Sequence, residues 1–190
     1  MLFRSSIGSS DANANFQMIK DTIKSVIDRY GKSDIRYSFI LFGDKPSERV
    51  RFTESERYTI DLLKDRVDLL PRVSGASLDK ALDEAKKIFQ DTARPDAKKV
   101  LVVIMDQKQS GNRGTTKEKA RELKNAGVKV VPVVFGEEAS KEELEQITRN
   151  KNYLVEMNKD VNPDKAGEKI MIKVLEGKSW VGRFRSSSVI

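Results

Sequence analysis

The sequence predicts an α/β fold: a doubly wound, mostly parallel six-stranded sheet with one antiparallel edge strand and helices on both faces. Three observations carry that prediction. Apolar residues switch repeatedly between a helical period and unbroken runs of strand length. Two of those runs, "KKVLVVIMD" (98–106) and "VKVVPVVFG" (128–136), are almost continuously apolar, as strands covered on both faces are. One connection, "GDKPSE" (43–48), is too short for a crossover, so the strands it joins are antiparallel.

The elements follow in chain order. Met1, Leu2 and Phe3 make a short first strand ahead of a serine-rich loop, "RSSIGSS". Phe16, Ile19, Ile23, Val26, Ile27 and Tyr30 recur at helical spacing, and Gly31 stops that helix. "IRYSFILFG" (35–43) reads as a buried strand and "RVRF" (49–52) as an alternating edge strand. "SERYTIDLLKDRVDLL" (55–70) is a helix up to Pro71. "SLDKALDEAKKIF" (77–89) is another, with Leu78, Leu82, Ala85 and Phe89 on one stripe. A capped helix over 115–127 ends at Gly127, a short capped helix covers 140–147, "YLVEM" (153–157) is the last strand, and Pro163 starts the closing helix. Residues 1–176 form one domain, and 177–190 read as a basic tail or linker.

Composition excludes several function classes. The 190 residues suffice for a real core, although only 38% are hydrophobic and 34% are charged. With no cysteine there is no disulfide and no thiolate metal site; with no histidine the commonest general base and transition-metal ligand are gone. Any bound metal must then be a hard ion held by oxygens. Nothing in "SSIGSS" activates a serine nucleophile, and it lacks the lysine and glycines of a phosphate-binding loop, so no enzyme is expected. No segment has the length of a membrane span. The net charge of +7 favours acidic partners, or simply a soluble surface.

In open α/β sheets, ligands sit at the carboxyl ends of the strands, where strand order reverses. The loop after Phe3 and the one after Met105 both qualify, and Asp106 ends the strongest strand. The chain here resembles a von Willebrand factor type A domain, the fold of integrin inserted domains. "SSIGSSDANANFQ", "FILFG", "GASLDKALDEA", "KKVLVVIMDQKQSG", "LKNAGVKVVPVVFG" and "EELEQI" carry the likeness, in order, over residues 1 to about 176.

The resemblance implies a metal-ion-dependent adhesion site: an Asp-x-Ser-x-Ser loop after the first strand, a threonine before the third helix and an aspartate after the fourth strand. Aligning on "SIG" puts Leu2 at the aspartate, Arg4 at the first serine and Ser6 at the second. Ala76 stands at the threonine, with Ser74 and Ser77 as nearby substitutes, and Asp106 matches the distal aspartate. Ser6 and Asp106 are therefore the surviving metal ligands, with Ser77 as a stand-in. At an effective dielectric near 20, unit charges about 4 Å apart interact by roughly 4 kcal/mol, so a guanidinium beside a divalent ion opposes binding strongly. The expectation is no cofactor, with Mg2+ or Mn2+ only if the degenerate site still works. Two arrangements stay open: Arg4 forks onto Asp106 in place of the ion, or Arg4 faces solvent while Asp106 caps loop amides.

The functional expectation, from the resemblance, is a non-catalytic adhesion or extracellular-matrix module. It would bind a protein, a matrix protein or an acidic glycan, through Arg4, Lys108 and Arg113 and without metal; solvated surface roles remain open for Lys108 and Arg113. A polyanion binder is the alternative, using a tail in which Trp180, Arg183, Phe184 and Arg185 interleave aromatic and basic groups; an intracellular assembly scaffold of the same fold is another. Nucleic acid is not the expected partner. The first strand has three residues where five or six are usual, and a chain cut or re-annotated at its start is the favoured reading.

Overall fold

A computed structural model of the chain describes residues 2–3, 10–31, 35–108, 112–136, 139–148, 150–158 and 160–176. Six strands form one sheet in the order β3-β2-β1-β4-β5-β6. These are β1 (Leu2–Phe3), β2 (Phe39–Phe42), β3 (Pro46–Val50), β4 (Val100–Met105), β5 (Lys129–Phe135) and β6 (Val155–Met157). Every neighbouring pair is parallel except β2 and β3. The α/β class with a parallel sheet, expected from the alternation of periods, is what the chain adopts.

Among the described residues, seven α-helices flank the sheet: α1 (Ser10–Tyr30), α2 (Phe52–Ser55), α3 (Ile60–Asp68), α4 (Leu78–Thr92), α5 (Arg113–Asn125), α6 (Lys141–Glu145) and α7 (Pro163–Leu175). Strand periodicity divides their packing between two faces. On β4, Val102 and Ile104 join a core with Ile19 and Ile23 of α1, Leu63 of α3 and Ile170 of α7. Leu101, Val103 and Met105 point the other way, to Leu78 and Leu82 of α4 and Leu123 of α5. Because both faces are covered, β4 and β5 can be apolar throughout.

Several boundaries differ from the sequence expectation: α5 is Arg113–Asn125 and not 115–127, β6 starts at Val155 because Lys151–Tyr153 form a 3-10 turn, and three larger differences lie in the first half of the chain. The edge strand is Pro46–Val50, not 49–52: proline opens it where no ladder donor is needed. Arg51 and Phe52 have left the sheet. The Arg51 N–H donates to the Glu54 carboxylate at 2.9 Å, and Phe52 packs on Phe89 with ring centroids 5.8 Å apart. The helix read over 55–70 is likewise α3 alone, started by Thr59, whose hydroxyl accepts from the Leu62 N–H. Finally, β2 begins only at Phe39. Residues 35–38 have no strand rung, and the Tyr37 N–H donates instead to the Ser55 hydroxyl at 3.1 Å.

Candidate functional site

The parallel strands β2, β4 and β5 end on the same side of the sheet, and the described loops that follow them form its upper surface. Asp106 follows β4 directly and is 2% exposed. A carboxylate this deep at a strand end must be neutralised or hydrogen-bonded to stay charged.

Beside it, two loops are pinned together by their backbones. The Asp44 N–H donates to the Ser74 carbonyl at 3.0 Å, and the Ser77 N–H to the Gly43 carbonyl at 2.9 Å. Gly43 is required by that approach, since a Cβ there would lie 1.9 Å from the Ser74 carbonyl oxygen. Ser77 stands at the N-cap of α4 yet makes no side-chain capping bond, which leaves its buried hydroxyl for other use. Ala76 is fully buried and brings no oxygen.

On the far side, Asn112 caps α5 by accepting from the Gly114 N–H at 2.8 Å. This cap aims Arg113 at α6, where its guanidinium lies 2.5 Å from the Glu143 carboxylate. Glu143 is nearly buried and Arg113 is mostly exposed, so the pair tethers α6 to α5 while leaving one face of the guanidinium in water. Lys108 is exposed and faces the same helix. The Glu142 carboxyl is held below its usual range by its own helix-start N–H, then by the Ser140 hydroxyl, with Lys141 and Lys108 adding to the effect. The upper rim thus alternates in sign. Sequence reasoning found Lys108 and Arg113 but missed Glu142 and Glu143, although "SKEELEQI" shows two adjacent acids at a helix start.

Leu2 does not belong to this surface. It pairs with Val103, three rungs short of Asp106, or about 10 Å along the strand. Counting back from "SIG" placed it at the metal-binding aspartate, but the strand register puts it inside the sheet. Arg4 and Ser6 lie outside the described residues.

The loop after β1, where the resemblance puts the first ligands, lies outside the described residues, so only part of the site's donor set is described. Magnesium requires about six oxygens in near-octahedral array, and calcium more. The described loops bring the carboxylates of Asp44 and Asp106 and the Ser77 hydroxyl, which makes no capping bond, and among the described residues no group of three acids converges on a point.

The profile of the von Willebrand factor type A domain matches residues 7–165. The chain belongs to that family. Mouse (Mus musculus) collagen alpha-4(VI) chain is 28% identical over 152 residues, which is 78% of this chain but 6% of the collagen chain. Proximal thread matrix protein 1 of the mussel byssus superposes with a TM-score of 0.75 at 20% identity in a form whose adhesion motif is occupied by zinc; the match covers 91% of this chain and 46% of that one. The manganese-loaded TRAP protein of Plasmodium vivax superposes with a TM-score of 0.72 at 17% identity, over 91% of this chain and 71% of its own. At these identities the solved structures speak for the fold. The chain spans a small part of the collagen relative it matches. Among the described residues, no helix is long and apolar enough to cross a membrane.

Proposed function

We propose that this type A domain is a non-catalytic, extracellular adhesion or matrix module that binds a protein ligand through its upper loops without a metal ion. One observation carries the reading: Asp106 is buried at the sheet's carboxyl end, while Ala76, at the position where the family's motif has a threonine ligand, carries no side-chain oxygen. Family membership and the collagen and byssus relatives support the matrix assignment.

In this reading Arg4 supplies the positive charge that Asp106 needs, as an internal ion pair. Lys108 and the exposed face of Arg113, set beside Glu142, offer the ligand a rim of alternating sign. Such a pattern selects a protein surface of complementary pattern over a uniform polyanion, because part of the rim repels any strongly acidic ligand. A polyanion reading draws on the net charge of +7 and on residues 178–190, which lie outside the described residues.

The test is binding of the full chain to immobilised collagen and other matrix proteins, measured with EDTA and again with Mg2+ or Mn2+. Equal binding in both conditions is expected. Binding that appears only with the cation overturns the metal-free reading, and capture by heparin alone, lost at high salt, favours the polyanion.

A further inference from the structure

Two helices on opposite faces of the sheet carry charges of opposite sign at the same spacing. α3 packs through Leu63 and Val67 into the core shared with α1 and α7, and α5 packs through Ala120 and Leu123 into the core shared with α4. With those positions turned inward, α3 presents Asp61, Asp65 and Asp68 to solvent. α5 carries Lys117 and Arg121, both exposed, and the half-buried Lys124 along its outer side. Both sets follow i, i+4, i+7, so each forms a row about 10 Å long on one helix face. Among the described residues no ion pair reaches Asp65, Lys117 or Arg121. Asp61 meets Lys64 at 3.7 Å with its side chain still 88% exposed, and Asp68 bonds Lys24 at 2.8 Å with half of its side chain in water. Each face also shows one exposed charge of the other sign: Arg66, which lies over the Tyr58 ring, and Glu118. Leu62 and Leu69 stand exposed beside the acids.

The matched spacing selects the occupant. Laid side by side in either direction, the two rows put Asp65 opposite Arg121, with Asp61 and Asp68 facing Lys117 and Lys124 in one order or the other. The odd charges, Arg66 and Glu118, are again opposite in sign to each other. A uniformly acidic ligand would answer α5 alone, whereas a second copy of the chain answers both helices. α3 and α5 lie on opposite faces of one sheet, so the contact cannot form within one molecule, and a two-fold pair cannot satisfy both rows at once. Repeating the contact produces an open head-to-tail row of copies.

We propose that the α3 face of one copy docks on the α5 face of the next, Asp61, Asp65 and Asp68 against Lys117, Arg121 and Lys124, with Leu62 and Leu69 covered at the contact. The proposal concerns the two flanks of the sheet and does not rest on the function assigned to the upper loops. Exposed ion pairs are individually weak and are screened by salt, so the association is weak and salt-sensitive, with a Kd on the order of 100 µM at low ionic strength.

The test is sedimentation velocity of the 190-residue chain from about 10 µM to about 1 mM, in about 20 mM NaCl and again in about 500 mM. The sedimentation coefficient should rise with concentration at low salt and stay near the monomer value at high salt. Asp65→Arg and Arg121→Asp should each weaken association about tenfold or more, because each sets like charges at the centre of the contact. An equimolar mixture of the two variants should associate again, since every facing pair in it is once more of opposite sign. The double variant, Asp65→Arg with Arg121→Asp, should recover association for the same reason, with circular dichroism confirming the fold of all three. A monomer at about 1 mM in low salt, association indifferent to salt or to both substitutions, or loss that neither the mixture nor the double variant repairs overturns the proposal. Association that needs added heparin, and that Arg121→Asp abolishes while Asp65→Arg does not, would assign the α5 face to a polyanion and overturns it equally.

Discussion

The two ends of the sheet are closed by different means. Above, loops are held by short backbone bonds, such as Asp44 to Ser74 and Ser77 to Gly43, and by the Arg113–Glu143 pair. Below, apolar side chains from both helix layers line a cavity of about 680 Å3, with Arg36, Arg94, Lys98 and Lys99 among its lining. The upper end is thus a fixed surface of polar groups, suited to recognition by shape and charge. The lower end is an apolar cavity with a basic rim. One fold has built two unlike surfaces, and they should fail differently.

The largest effect is expected from paired leucine truncations. Leu78 is fully buried at the upper end of α4, and Leu101 lines the cavity below. Leu78→Ala should cost about 4 kcal/mol and Leu101→Ala about 2 kcal/mol, because a side chain beside an existing void has fewer contacts to lose. Urea denaturation of both variants measures this. Equal costs would mean that the cavity closes in solution and that the contrast between the ends is false.

A second comparison uses glycines. Gly43→Ala drives a methyl into the Ser74 carbonyl and should destabilise by about 3 kcal/mol, through strain in the upper loops. Gly127→Ala, at the lower end, meets nothing within 4 Å and should cost about 1 kcal/mol, the ordinary penalty of its positive φ. If the two cost the same, the upper loops are softer than their backbone bonds indicate.

The fold was largely legible in the sequence because both of its periods are strong. β4 and β5 are apolar for reasons of burial alone, and Leu78, Leu82, Ala85 and Phe89 mark their stripe without tertiary context. The misread stretch, 49–52, has the alternation of a strand; what ends β3 is the Arg51 cap with Glu54 and the packing of Phe52 on Phe89, a contact 37 residues away that no local pattern contains. At the site, Asp106 was visible from its place at a strand end. Glu142 and Glu143 were not, since acids at a helix start have a sufficient local reason to be there. Leu2 was misplaced because motif counting fixes sequence spacing, whereas strand register fixes height in the sheet.

A third prediction concerns the buried acid at the upper end. If Arg4 neutralises Asp106, then Arg4→Ala, Asp106→Ala and the double variant should show a coupling of about 2 kcal/mol in urea denaturation. Additive effects would remove the ion pair from the account and leave Asp106 serving loop amides.

The smallest expected effect lies between the two ends, on the flank where α4 meets α5. Lys86 and Lys119 both reach Glu122, at 2.8 and 3.8 Å, and Lys119 also reaches Asp83 at 3.1 Å. The bond from Lys86 holds the Glu122 carboxyl below its usual range. A carboxyl depressed in the folded state binds its proton more readily in the unfolded one. Its contribution is therefore complete above the unfolded value, about 4.3, and is lost as pH falls through the folded value. Glu122→Gln should flatten the stability profile slightly below about pH 4.5 and leave it unchanged near neutrality, apart from a small constant offset. The side chains are about one-third exposed, so water and salt screen the network, and 1 M salt should erase most of the difference between the two profiles. A change in slope that persists at high salt would place Glu122 in a drier setting than its exposure indicates. The α4–α5 flank would then resemble the buried Glu143 pair above it more than the basic rim below.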